Sequence, residues 1–264
     1  MGLLPAAVGP GFLPRRTAVI PGVLRGVRGV VFDTDGVITD SARVHAEAWK
    51  QAFDVFLAEC PPERPEQRRP FDVREDYLRH VDGKSRLDGA GSFLASRGMR
   101  LPAATVAAVA AEKERLFVER LRDKGIDAYP GTVRLLGVLR DEGLRLAAAS
   151  ASRHARELLL RADLLPFFDA LVDGGEAARL GLAGKPDPAL FLEAARRLGV
   201  PTTDAAVVED ALAGVEAGRR GGFRVVIGVD RSASAGTRSA LLRRGADVVV
   251  NDLEELLCED GGRP

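Results

Sequence analysis

Apolar positions fall along the chain in two rhythms. Six short runs, at residues 29–33, 144–150, 170–173, 205–210, 224–229 and 247–251, are apolar almost without interruption. Strands covered on both faces read this way, because neither set of alternate side chains meets water. Between them apolar residues recur every three or four positions, over 133–142, 188–198, 211–221 and 237–244, which predicts helices. Strand alternating with helix predicts a parallel sheet with right-handed crossovers. One region breaks the alternation. From 43 to 124 no buried strand is evident, helical periodicity runs through 42–57, 89–97 and 105–122, and prolines at 61, 62, 65 and 70 mark a loop. The pattern predicts an α/β protein: a Rossmann-like, doubly wound parallel sheet core built from 27–42 and 125–257, with a helical cap domain inserted over 43–124. Residues 1–26, interrupted by four prolines, read as a disordered arm or a transit-like segment, and 258–264 as a C-terminal tail.

Ligands of open α/β sheets bind beyond the carboxyl ends of the strands. Those ends carry an unusual set of residues: Asp33 and Asp35 after the first strand, Ser150 and Ser152 after the second, and Glu209 and Asp210 after the fourth. Lys185 follows the third. Clustered carboxylates repel, by ~4 kcal/mol for two unit charges 4 Å apart at an effective dielectric of about 20. A hard divalent cation removes that penalty, and Mg²⁺ takes one or two carboxylates together with phosphate oxygens. A carboxylate is also able to act as a nucleophile and form an aspartyl-phosphate. The residue types therefore suit metal-assisted phosphoryl transfer. Each has a plainer reading as well. Asp35-Gly36 is a turn signal, Asp210 and the serines are helix caps, and Lys185 is a loop lysine.

Composition narrows the partners. Lys plus Arg and Asp plus Glu each number 38, so the chain is neutral and offers no basic footprint for nucleic acid or an anionic membrane. No apolar run approaches the ~18 residues of a membrane span. Cys60 and Cys258 lack metal-ligand spacing and imply no disulfide framework, as expected of a monomer in the reducing cytoplasm.

Together these residues resemble the haloacid dehalogenase superfamily. The run DTDGV at 33–37, the strand-end Ser150, Lys185-Pro186 and Glu209-Asp210 match its four motifs in order. YPGTV at 129–133 and EDALAGVEAG at 209–218 extend the match, which covers about residues 27–257. The resemblance implies Asp33 as nucleophile and Asp35 as general acid/base with a poised pKa. It implies Mg²⁺ held by Asp33, Glu209, Asp210 and the Asp35 carbonyl, and phosphate contacts from Ser150, Ala151 and Lys185. Within the superfamily the chain looks like the β-phosphoglucomutase branch. DGVITDSARVHAEAWK at 35–50 carries His45 and Trp49, VDGKSRLDG at 81–89 carries Arg86 in a cap loop, and SASRH at 150–154 carries Ser152, Arg153 and His154. Lys113 matches a cap lysine. That likeness implies a small sugar phosphate as substrate, with Arg86, Arg153 and His154 at a distal phosphate.

The expected activity is the conversion of β-glucose 1-phosphate to glucose 6-phosphate. The alternative is a phosphatase acting on a glucose, trehalose-type or pseudo-sugar phosphate. A non-catalytic phosphosugar sensor would lack the acids that are present here. A phospho-acceptor regulatory domain would lack the cap and the second Asp. Asp40, beside Ser41 where the chain leaves the sheet, reads as a helix cap or hinge.

Overall fold

The computed structural model describes residues 20–124, 126–232 and 235–257. Six strands, β1 (Gly29–Phe32), β2 (Arg145–Ala149), β3 (Ala170–Val172), β4 (Ala205–Glu209), β5 (Val225–Val229) and β6 (Val248–Val250), form one parallel sheet in the order β3-β2-β1-β4-β5-β6. This is the doubly wound order that puts a crevice at the β1/β4 switch point. Alternation along β1 shows why it is central. Val30 and Phe32 enter one core with Leu135, Leu136 and Leu159, while Val31 enters the opposite core with Phe191, Val215 and Leu241. Both faces are thus dry, and the strand has no polar side.

Among the described residues nine α-helices surround or cap the sheet. Among the described residues the core carries α4 (Pro130–Asp141), α5 (Ala155–Arg161), α6 (Gly174–Leu180), α7 (Ala189–Leu198), α8 (Leu212–Arg220) and α9 (Ala235–Arg244). The insert carries α1 (Ser41–Glu59), α2 (Arg86–Ser96) and α3 (Ala103–Lys124). Along α1, positions Val44, Ala48 and Ala52 pack with Phe117 and Leu121 of α3. The adjoining stripe Trp49, Phe53 and Leu57 packs with Phe71 and Phe93. Two stripes at i, i+4 spacing make one broad apolar face, which holds the cap together. Leu158 of α5 joins the first of these clusters and ties the cap to the sheet.

Three expectations change. The arm predicted over 1–26 does not extend that far, because Leu24 is fully buried in the sheet core with Ile20 and Val23 against it. The rest of that arm, and the tail 258–264 with Cys258, lie outside the described residues. Asp40 precedes α1 but makes no side-chain cap; its carboxylate accepts a hydrogen bond from Tyr129 Oη at 3.1 Å instead. Asp210 does not cap α8, whose N-cap is Ala211. Among the described residues no helix is long and apolar enough to cross a membrane.

Candidate active site

Parallel register brings β1 and β4 to the same level, with Phe32 beside Val208. The next residues, Asp33 and Glu209, therefore leave the sheet side by side. Carboxylate oxygens of Asp33, Glu209 and Asp210 all lie within 4.8 Å of one another. Lys185, from the loop before α7, reaches in with Nζ 2.5 Å from Asp33 Oδ1 and 2.9 Å from Glu209 Oε1. The ammonium also sits 4.7 Å from the centre of the Phe191 ring. One buried cation faces three acids, so the cluster carries excess negative charge. Burial pushes the Asp33 carboxyl up, and the neighbouring Asp35 adds to this while Lys185 opposes it. Burial likewise raises Glu209 and Asp210 well above the usual range. Glu209 Oε2 is buried with no hydrogen-bond partner among the described residues. An orphaned oxygen in a surplus of carboxylates fits a hard divalent cation.

The turn after β1 makes the crowding possible. Gly36 has φ +85°, and a side chain on it would overlap the Asp210 carboxylate. Across the cleft, Gly83 of the cap has φ +69°, and a Cβ there would sit 2.7 Å from Ala211 Cβ. A bare backbone at both places lets turn, cap and acids pack together.

Asp35 has different company. Ser41 donates a short hydrogen bond to Oδ1, and Ser150 Oγ donates to Oδ2 at 3.0 Å. His45 Nε2 lies 3.3 Å from Oδ1, without the alignment of a full hydrogen bond. Burial pushes Asp35 up, but His45, Ser41 and Ser150 outweigh it and hold the carboxyl below its usual range. The expected poised acid is therefore a settled carboxylate. Behind it, Lys113 Nζ lies 2.6 Å from His45 Nδ1. Burial brings the Lys113 amine down to about 8. At neutral pH it remains the donor, so Nδ1 is bare and the ring proton is assigned to Nε2. Burial and Lys113 also push His45 down, while the neighbouring Asp35 carboxylate pulls it the other way. Trp49 and Phe117 wall this pair, with Lys113 Nζ 5.4 Å and 4.8 Å from their ring centres.

A cavity of about 250 Å³ opens above these acids, between sheet and cap. Asp33, Asp35, His45, Trp49, Arg86, Lys113, Ala151, Ser152, Arg153, Lys185 and Asp210 line it. Arg86 is the first residue of α2 rather than a loop residue, because Ser85 caps that helix through Asp88 N–H. Ser150 is fully buried and spends its hydroxyl on Asp35 and on the Ser152 N–H. Ser152 Oγ accepts from the His154 N–H at 3.2 Å. The sequence reading passed over three lining acids, Asp82, Asp88 and Glu114. Asp82 is pushed up to about 7 by burial and by the Asp33 charge. Glu114 bridges Arg86 and His154. Asp82 stands within the cap stretch that drew attention to Arg86; Glu114 has no such signal.

The sequence profile of haloacid dehalogenase-like hydrolases matches residues 27–222. The chain belongs to that family. It is 42% identical to the β-phosphoglucomutase of Mycobacterium bovis, over 94% of this chain and 98% of that one. It is 35% identical to the β-phosphoglucomutase of Bacillus subtilis, over 88% and 93%. A hydrolase from Pseudomonas syringae superposes with a TM-score of 0.71 at 27% identity, covering 88% of this chain and 97% of that one. Within the haloacid dehalogenase-like family the chain falls in the β-phosphoglucomutase-like branch, an enzyme of the phosphomutase and phosphatase kind. Helices α1–α3 form the helical insert of the parallel-sheet fold.

Proposed function

We propose that the protein is a Mg²⁺-dependent β-phosphoglucomutase, converting β-glucose 1-phosphate to glucose 6-phosphate through an aspartyl-phosphate on Asp33. The observation that carries this reading is the contrast between two carboxylates two residues apart. Asp33 faces Lys185 and the acid cluster, while Asp35 faces hydroxyls and an imidazole under the cap. Carboxylates in such different settings suit different roles.

Mg²⁺ held by Asp33, Glu209, Asp210 and the Asp35 carbonyl would neutralise charge on the phosphoryl oxygens and keep the acids ionised. Lys185 holds Asp33 in place and offers the same ammonium to the transferring phosphoryl group. Asp33 Oδ attacks phosphorus, a new P–O bond forms, and the bond to the sugar oxygen breaks. Asp35, protonated by the sugar hydroxyl that attacked in the preceding transfer of the cycle, delivers that proton to the leaving oxygen. For the second transfer it takes the proton from the attacking sugar hydroxyl. A carboxylate held low is a ready base, and it becomes the acid by accepting that proton. The cap helices exclude water, which otherwise competes with the sugar hydroxyl. Arg86, Arg153 and His154 are proposed to hold the distal phosphate, Ser150 to position Asp35, and Ser152 and the Ala151 backbone to contact phosphate.

One observation favours a second reading. Glu114 already neutralises Arg86 and His154, and a phosphatase acting on a singly phosphorylated sugar needs no second phosphate site. Phosphorus NMR of the protein with β-glucose 1-phosphate, a trace of the 1,6-bisphosphate and Mg²⁺ decides between them. Glucose 6-phosphate without free phosphate is expected. Phosphate release at a comparable rate overturns the mutase and leaves the phosphatase.

A further inference from the structure

Three elements meet at the outer end of the cavity, away from the acid cluster. Arg86 opens α2, Glu114 lies on α3, and His154 immediately precedes α5. Glu114 Oε1 accepts a hydrogen bond from His154 Nε2 at 2.7 Å and lies 3.4 Å from Arg86 Nη1. His154 Nδ1 is turned towards Glu157, at 3.6 Å. One carboxylate thus ties a cap helix start to a core loop. Arg153 lines the same end, exposed, with no ion-pair partner among the described residues. The side chains of the bridge are only partly accessible, at 31% for Arg86, 23% for Glu114 and 19% for His154.

We propose that Glu114 is a specificity-determining residue whose carboxylate competes with a substrate's second phosphate for Arg86 and His154. This rests on the reading of those two cations as distal-phosphate contacts. The chemistry is that of one site with two candidate anions. A guanidinium and an imidazolium present planar donors that suit a carboxylate and a phosphate equally well. Glu114 is tethered and always at hand, whereas phosphate brings more charge and more acceptor oxygens. A doubly phosphorylated sugar must therefore turn the Glu114 side chain out of the pair, and it meets like-charge repulsion while doing so. A substrate with an uncharged distal end leaves the bridge intact. Glu114 thereby biases the site towards singly phosphorylated ligands, and the strength of that bias sets how well a bisphosphate is held.

The test uses the full chain with Mg²⁺ and two substrates, β-glucose 1,6-bisphosphate and p-nitrophenyl phosphate, followed by phosphate release. The readout is the preference, kcat/KM for the bisphosphate divided by kcat/KM for p-nitrophenyl phosphate. E114Q keeps the shape and removes the charge. It is expected to raise the preference about tenfold, which corresponds to ~1.4 kcal/mol. The gain is expected to shrink in about 0.5 M salt, where the Debye length falls to a few ångströms. An unchanged or lowered preference in E114Q overturns the inference, as does a gain that salt leaves untouched, because packing alone is not screened. R86A separates the two levels. It is expected to lower the preference. If R86A has no effect, Arg86 does not read the distal phosphate and both readings fall. If R86A lowers the preference and E114Q leaves it unchanged, only the role of Glu114 falls.

Discussion

The Lys185 ammonium lies 2.5 Å from the Asp33 carboxylate, and both residues are buried at the end of β1. The same ammonium reaches Glu209, so one cation holds two strand ends together. Lys185→Met removes the charge and keeps most of the volume. Breaking a buried pair by deleting one partner leaves an uncompensated charge, at a cost of about 3–5 kcal/mol. A urea denaturation curve is expected to show that loss without Mg²⁺ and a smaller one with it. An unchanged midpoint without Mg²⁺ would mean that Lys185 does not offset the acid cluster.

Asp33→Asn and Asp35→Asn are expected to fail differently. Without the Asp33 carboxylate no aspartyl-phosphate forms, so turnover of sugar phosphate and of p-nitrophenyl phosphate is lost. Without Asp35 the nucleophile survives and only proton transfer suffers, a loss of about 10²–10⁴ in kcat. Acid-quench trapping with labelled phosphate donor distinguishes them. Labelled protein should accumulate in the Asp35 variant and be absent from the Asp33 variant.

Gly36→Ala tests the acid cluster without touching an acid. The position has φ +85°, and the added methyl would overlap the Asp210 carboxylate. Either the turn or Asp210 must move. The Mg²⁺ concentration for half-maximal activity is expected to rise about tenfold or more, with a melting temperature a few degrees lower from the left-handed backbone. Wild-type Mg²⁺ dependence would show that Asp210 does not hold the ion.

Glu114 gives a pH signature in stability. Burial pushes its carboxyl up, but His154, Lys113 and Arg86 outweigh that and bring it from 4.5 down to about 2. A lowered carboxyl adds stability that is complete above 4.5 and is lost as pH falls towards 2. The hydrogen bond to Glu114 raises His154 above 6.5, so its share is complete below 6.5 and is lost as pH climbs through the raised value. Urea midpoints of the wild type and Glu114→Gln should therefore differ most at about pH 5–6 and converge only as pH falls to about 2. A difference that is flat with pH would show that the bridge is not electrostatic.

The sheet was legible because each strand is apolar on both faces, and such runs have few other readings. The run 29–33 and the acids at its end could be placed at one rim for that reason. Two core helices were not legible. Both α5 and α6 span seven residues, too short for a 3.6-residue period to stand out from a loop. Arg86 was read into a loop because Gly83 and Gly89 flank it, yet the Ser85 cap starts the helix there. Asp40 has the chemistry of a cap, but the nearby Tyr129 hydroxyl claims its carboxylate.

What the sequence determined by itself is the α/β core, the insertion, and the set of charged groups at the strand ends. Those follow from local periodicity and from where an apolar run stops. Tertiary structure alone decided the partners. Asp35 is held low because His45 and Ser41 of α1 and Ser150 after β2 converge on it. Glu114 looks no different in sequence from the exposed Glu112 two residues earlier, and only the fold sets it between Arg86 and His154. A carboxylate's role depends on what stands within about 4 Å of it, and contacts between residues tens of positions apart are made by packing, not by spacing.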